Sequence, residues 1–349
     1  MDWRSSRETS FRYMRTTRDG TRDIEEMDCF MDGGPIEYND LTAIKYAGSL
    51  PYYKLPDIGN DYLRVYSIHK QGAETLEVLH GTFIASAPSS TLNRKTRRGE
   101  LDIYSLLQIV QDAGISEPLV IEPDTVSVSY AAFLILGCGL PVHADDSAAK
   151  LTTEWAYDAG TSKLEIVNDL LKFAGFASAG IDERGVVQLQ VYIDPADRSA
   201  SVMLRDDEPG CIFSPVVKHE LDYFSVPNVV IAVMSNEEEC LVARAENTDP
   251  LSIYSIPSRG REIVLKEEVS DIESQEALDA FAERRLAEVS SAVESVEIEH
   301  PWLPYQTGEM IGLHYTEATF EFAGSAVKKH VTLSPALICR TRLRRFVRR

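Results

Sequence analysis

Three groupings in this chain have residue types and spacings that could do chemistry. Ser147-Ala148-Ala149-Lys150 has the spacing of a serine activated by a lysine three residues on, but the S-D-N and K-T-G companions of that arrangement are absent. It reads instead as the start of a helix. Asp145-Asp146, Asp206-Asp207 and Glu237-Glu238-Glu239 could supply the two carboxylates that a glycosidase sets across a cleft. Each lies beside Gly, Pro, Asn or Ser, as solvated turn residues do, and the spaced oxygen ligands of a Ca²⁺ loop are missing. The seven histidines, His69, His80, His143, His219, His300, His314 and His330, include no pair four apart on a helix that could aim two imidazoles at one metal. Cys29, Cys138, Cys211, Cys240 and Cys339 are odd in number, scattered and without a C-x-x-C pair, so reduced thiols are expected. The sequence contains no G-x-S-x-G, G-x-x-x-x-G-K-[ST] or G-x-G-x-x-G, hence neither a nucleophile elbow nor a phosphate cradle. No catalytic residue, metal ligand or cofactor is expected.

The elements that would position any site are more legible. Leu278, Phe281, Ala282, Leu286, Val289 and Val293 recur every three or four residues, with Glu276, Asp279, Glu283, Arg284 and Glu288 between them, which predicts an amphipathic helix over 274–293. Val296, Ile298 and His300 then alternate with Ser295, Glu297 and Glu299, the two-residue period of a half-buried strand. Pro301 and Pro304 end regular pairing, and Tyr305-Gln306-Thr307-Gly308-Glu309 returns the chain into a second strand, Met310 to Tyr315. Near the middle, Ser162 and Glu165 form a capping box for a helix that buries Leu164, Val167, Leu170, Leu171 and Ala174 and stops at Gly175. Asp182-Glu183-Arg184-Gly185 is the turn of a following hairpin, in which Val187, Leu189, Val191 and Ile193 alternate with polar residues.

Across 349 residues, 44% hydrophobic and 26% charged, two or three domains are expected. Residues 1–90 read as a β domain, 91–210 as a mixed α/β middle domain and 211–349 as a second β domain carrying the 274–293 helix. The stretch Pro88 to Gly99 is small, polar and basic and reads as an exposed crossing. A helix with Ile103, Leu106, Leu107 and Val110 on one face is predicted to follow it. No apolar run reaches the roughly 18 residues needed to span a bilayer. Met1 to Arg7 lacks the apolar segment of a secretion signal, so synthesis in a cytoplasm is expected.

The net charge of −20 is concentrated in the body. Residues 101–339 hold 15 basic and 40 acidic side chains, whereas the last ten residues hold six arginines. Such a body repels phosphates and is not a nucleic-acid grip. The arginines at both ends, from Arg4 to Arg22 and from Arg340 to Arg349, read either as nucleic-acid or membrane arms or as partners for the acidic middle.

The helix, strand, His300-Pro301 bend, Gly308-Glu309 loop and strand of residues 270–315 resemble the last tube-forming domain of the phage tail baseplate hub family, which includes the amino-terminal hub region of siphophage tail-associated proteins. The unit from Trp155 to Pro195, and the opening Asp32-Gly33-Gly34-Pro35-Ile36 through Gly48, are similar to further parts of that family, so that about two-thirds of the chain takes part. The resemblance implies an α+β, β-rich fold with two tube-type β domains and packed helices around the mixed middle domain, assembling as a ring. It implies a homotrimeric structural protein of the virion, made in the host cytoplasm, which closes the distal end of the tail tube and forms the conduit through which tape-measure protein and DNA leave. Distal tail protein or other baseplate proteins, the tape-measure carboxy-terminal region and a central fibre or spike are the implied partners, with DNA passing unbound. Leu278, Phe281, Ile298, Trp302, Tyr305 and Ile311 are then the candidate assembly interface. The alternatives are a tail-tip receptor or carbohydrate-binding module, with Trp302 and Tyr305 as its aromatics, and a tail-associated cell-wall hydrolase. Lytic activity in the family resides in an appended domain, and the chain is expected to stop at Arg349 about where the hub itself would end.

Overall fold

Side chains that alternate between apolar and polar organise this protein into a β-rich α+β fold. The structure, a computed structural model, describes residues 1–349 except 4, 87, 94–95, 195–197, 208–212, 223, 236–239, 270–273, 290–291 and 348–349. In chain order the first elements are β1 (Glu8–Thr16), β2 (Asp23–Glu26), β3 (Pro35–Asn39), β4 (Tyr46–Tyr52), β5 (Tyr62–Gln71), β6 (Glu74–Ala85), β7 (Ser89–Asn93) and β8 (Thr96–Ser105). There follow α1 (Leu107–Asp112), β9 (Leu119–Ile121), α2 (Ser127–Leu136), β10 (Val142–Ala144), β11 (Trp155–Tyr157), α3 (Lys163–Phe173), β12 (Gly180–Ile181), β13 (Val187–Leu189) and β14 (Ala200–Arg205). Next come β15 (Lys218–Asp222), β16 (Val229–Ser235), β17 (Cys240–Glu246), α4 (Ile256–Arg259), β18 (Val264–Glu268) and α5 (Gln275–Val289). The chain ends with β19 (Ala292–Pro301), β20 (Met310–Tyr315), β21 (Phe320–Thr332) and β22 (Ile338–Val347).

Two compact units emerge. The first comprises Met1–Val216 with Ile298–Leu343, the second Val217–Glu297 with Arg344–Arg349. The division has no boundary near residue 90, has one six residues beyond the expected 210, and returns Ile298–Leu343 to the first unit. The reason is strand pairing: β21 lies antiparallel to β3, Lys328 opposite Asn39 and Thr332 opposite Pro35, so residues of the expected first and last domains share one sheet.

In the first unit that sheet runs β22-β21-β3-β4-β8-β6-β5-β1-β2, with β7 on β8, β20 on β21 and β14 parallel to β20. Its core gathers Ile36, Leu50, Tyr52, Leu63, Val65, Phe83, Ile103, Val331 and Leu333. A second core packs α1, α2 and α3 through Leu107, Val110, Ile135, Val167, Leu170 and Leu171, which also bury Val187 and Leu189 of the β12–β13 hairpin. Within the stretch read as a crossing, Ser89–Asn93 and the start of Thr96–Ser105 pair as strands, β7 with β8. The predicted helix begins four residues later than its periodicity suggests, because Ile103 is held in β8 opposite Gly48 and Ala85. Ser147 to Lys150 does not start a helix; Ser147 Oγ accepts the Ala149 N–H and Lys150 bridges Val126.

The predicted cap of α3 is present: Ser162 Oγ accepts the Leu164 N–H at 3.2 Å, and Gly175, at φ +73°, closes the far end in the left-handed region. Ser162→Ala should therefore lower stability by about 1 kcal/mol, read as a drop in the urea midpoint at unchanged slope; no drop would mean that water replaces the hydroxyl without loss.

In the second unit β16 lies between β17 and β18. Val230, Ala232, Met234, Ala243 and Ala245 receive Leu278, Ala282 and Leu286 of α5, with Phe281 and Val289 at the margin. That is the helix-on-sheet layer which the spacing of these residues predicts.

Candidate functional site

Ser67 and His69 sit in the inward phase of β5, following Leu63 and Val65. They are polar residues at apolar positions, and all four are fully buried. His80 enters from β6, so that Ser67 Oγ lies 2.8 Å from His69 Nε2 and 2.8 Å from His80 Nε2. A hydroxyl has one proton, so one imidazole accepts from Ser67 while the other donates to it. Thr9 Oγ1 closes the other side of His69 at 3.3 Å from Nδ1.

Trp302 is the centre of the cluster. Its ring stacks on His69 with centroids 5.8 Å apart and meets Trp3 and His80 edge-on at 5.0 and 5.6 Å. Arg7 lies over the Trp3 ring and donates to the carbonyls of Trp3 and Trp302. Lys329, on the inward phase of β21 between Val327 and Val331, donates to the Leu303 and Tyr305 carbonyls at 2.9 and 2.8 Å. Its ammonium stands 5.0 Å from the Trp302 ring centre and 4.1 Å from that of Tyr305, two cation–π contacts in a desolvated setting. Beyond Tyr305, His300 Nδ1 donates to the Pro301 carbonyl at 2.6 Å, leaving Nε2 to accept from the Tyr305 or Thr341 hydroxyl at 2.8 or 3.1 Å.

Burial sets the charge states. It pushes His69 down to about 4, with Arg7 adding repulsion, and His80 down to about 3, with Lys329 and His69 adding theirs. His300 falls to about 4 for the same first reason. Burial also draws Lys329 down to about 8, against the pull of Cys339, Glu309 and Glu183. All three imidazoles are neutral at pH 7 and hydrogen-bonded, so the cluster ties strands together. Ser67 has a nucleophile's partners but no exposed surface, and a substrate could not reach it.

A cleft of about 550 Å³ opens beside the cluster, floored by Tyr38, Tyr46 and Trp302 and rimmed by Lys45, Glu183 and Arg198. Lys45 binds Asp40 at 3.2 Å and Ser178 at 2.8 Å, and Gln306 donates to Glu183 at 2.9 Å. The rim groups thus hold one another. No group of three metal-binding side chains occurs among the described residues.

Of the six residues expected at an assembly interface, Leu278, Ile298, Trp302, Tyr305 and Ile311 are at most 6% exposed, and Phe281 is half-buried on α5. A side chain already covered by its own chain has no surface to offer a neighbour, and the same burial removes Trp302 and Tyr305 as glycan-stacking platforms. The structure brings Trp302 and Tyr305 together through Lys329, and Leu278 and Phe281 together on α5. Four of the terminal arginines meet acidic neighbours: Arg12 binds Glu77, Arg15 binds Glu25, Arg340 binds Glu299 and Arg345 binds Glu294. Arg4, Arg348 and Arg349 lie outside the described residues. Sequence reading missed Ser67, His69 and Lys329; their signal was a polar side chain on the buried phase of an otherwise apolar strand.

No protein-family model matches this sequence, and no curated protein sequence matches it. Solved structures do. A tail protein from Neisseria meningitidis MC58 superposes with a TM-score of 0.69 at 12% identity, covering 98% of this chain and 97% of its own. The 43 kDa tail protein of prophage MuSo2 from Shewanella oneidensis gives 0.65 at 10% identity, covering 97% and 98%. A Francisella PdpA–VgrG complex chain gives 0.56 at 8% identity; 97% of this chain spans 58% of that one. From its first strand to its last, the chain has the fold of these phage tail proteins.

Proposed function

We propose that the protein is a structural component of a phage tail: a homotrimeric hub that closes the distal end of the tail tube and forms the conduit for tape-measure protein and DNA. The observation that carries this reading is the end-to-end superposition on two tail proteins. The acidic body fits a conduit, because a wall of carboxylates lets DNA slide past without adhering. Baseplate proteins above and below the ring, the tape-measure carboxy-terminal region and a central fibre or spike are its partners in this reading.

The mass of the purified protein in solution, by light scattering or native mass spectrometry with negative-stain images of the same fraction, tests it. Three copies of 39.0 kDa should give about 117 kDa and particles with a central hole. A 39.0 kDa particle at all concentrations would remove the homotrimer.

A further inference from the structure

The second unit carries an apolar prominence that its own fold does not cover. Leu251 is 91% exposed, Phe224 73% and Ile253 50%, on the loop between β17 and α4 and on the segment leading to β16. Exposed apolar groups usually stand singly and need no explanation. Here Phe224 and Ile253 share one surface depression with Arg259 and Arg261, and the loop that carries Leu251 and Ile253 is tied by its own hydrogen bonds. Asn247 Oδ1 accepts the Asp249 N–H, Asp249 Oδ1 the Leu251 N–H, and Ser252 Oγ the Tyr254 N–H. Ser255 caps α4, which Gly260 closes in the left-handed conformation. Asn228 then pins both sides of the base, donating to the Arg261 carbonyl and accepting the Ile263 N–H. The loop is ordered by its own side chains, so docking through Leu251 would cost little further entropy.

The arginines give the surface its chemistry. Arg261 lies 4.1 Å over the Phe224 ring and donates to the Phe224 carbonyl; Arg259 lies 5.3 Å over the Tyr254 ring and donates to the Val226 carbonyl. Aromatic rings and arginines around a protruding apolar side chain are the composition of an interface hot spot. Elsewhere in the unit Lys218, Arg244, Lys266 and Arg285 each bind a carboxylate. Arg261 has a carbonyl instead, and a guanidinium retains further N–H groups for an acceptor brought from outside.

We infer that this prominence is a docking surface for a second copy of the same chain, with Leu251 and Phe224 entering an apolar recess and Arg261 meeting its carboxylates. Charge selects the occupant. Residues 217–297 alone hold 18 acidic and 7 basic side chains, and the whole chain stands at −20, so the body of a neighbouring copy is rich in carboxylates. The same charge repels nucleic acid and anionic membranes, the other surfaces that two arginines could serve.

The inference rests on the homotrimer reading, and one experiment separates them. Wild type, Leu251→Asp and Arg261→Glu are compared by native mass spectrometry and light scattering over a dilution series, with circular dichroism as the folding control. Both side chains are exposed, so all three proteins should share one spectrum, with a thermal midpoint unchanged for Leu251→Asp and slightly lowered for Arg261→Glu, which gives up its Phe224 contacts. The wild type should assemble, and each variant should raise its dissociation constant at least about 30-fold, the scale of truncating a hot-spot residue. Variants that assemble as tightly as the wild type would overturn this surface while leaving the homotrimer standing. A wild type that stays at 39.0 kDa would overturn both.

Discussion

Trp302→Ala should lower the unfolding free energy by about 3–5 kcal/mol, the range for deleting a buried large aromatic side chain. The ring is 6% exposed and meets Trp3, His69, His80 and Lys329, which arrive from the amino-terminal segment, β5, β6 and β21. Few positions join so many segments remote in sequence. Removing it opens a cavity and strips Lys329 of one of its two aromatic faces while the ammonium stays buried, which adds an electrostatic loss to the packing loss. Trp302→Phe should lose less, because a smaller ring still covers part of the site. Urea unfolding of both variants measures the effect. A Trp302→Ala loss below about 1 kcal/mol would show that the cluster contributes little to holding its strands together.

Stability should also fall steeply with acid between pH 6.5 and about 4. His69, His80 and His300 have native values near 4, 3 and 4, against about 6.5 in an unfolded chain. The unfolded state therefore binds more protons throughout that window. The contribution of the neutral imidazoles is complete above pH 6.5 and is lost progressively as pH falls toward the native values. Three groups titrating together give a slope approaching roughly 4 kcal/mol per pH unit, a large fraction of a typical domain's total stability. Carboxylates held low by hydrogen bonds, such as Asp19 at about 2, lose their contribution only below their ordinary value near 4, so the two effects occupy different windows. Thermal midpoints from pH 7.5 to 4.5 report the first window, and His80→Gln should make the dependence shallower by about one proton. A flat profile above pH 4.5 would refute the assignment.

Local patterns were the legible part of this fold. The α5 stripe, the Ser162 cap, the Gly175 stop and the Asp182 turn were each decided by residues within one element. The β7–β8 pair was not, since Arg94, Lys95, Arg97 and Arg98 hide the alternation that Leu101, Ile103 and Ser105 continue inward. Ile103 also satisfies a helical period with Leu106, Leu107 and Val110, and only Gly48 and Ala85 on either side settle it as a strand residue. Residues 1–90 and 211–349 were read as separate domains although they share a sheet, because the pairing of β3 with β21 joins positions nearly the whole chain apart and leaves no trace in either segment. The Trp302 cluster was hidden for the same reason: each member is unremarkable alone, and its meaning lies in neighbours supplied by distant strands.

The β3–β21 ladder also dictates when this protein can mature. While the ribosome is still adding residues after about 300, β3 has its β4 partner but not its other neighbour, and Gly34 still awaits the backbone of Leu333. An open strand beside an uncovered apolar core is a site where nascent chains adhere to one another. The closure of such a long loop therefore leaves the first unit unfinished until β21 has been made.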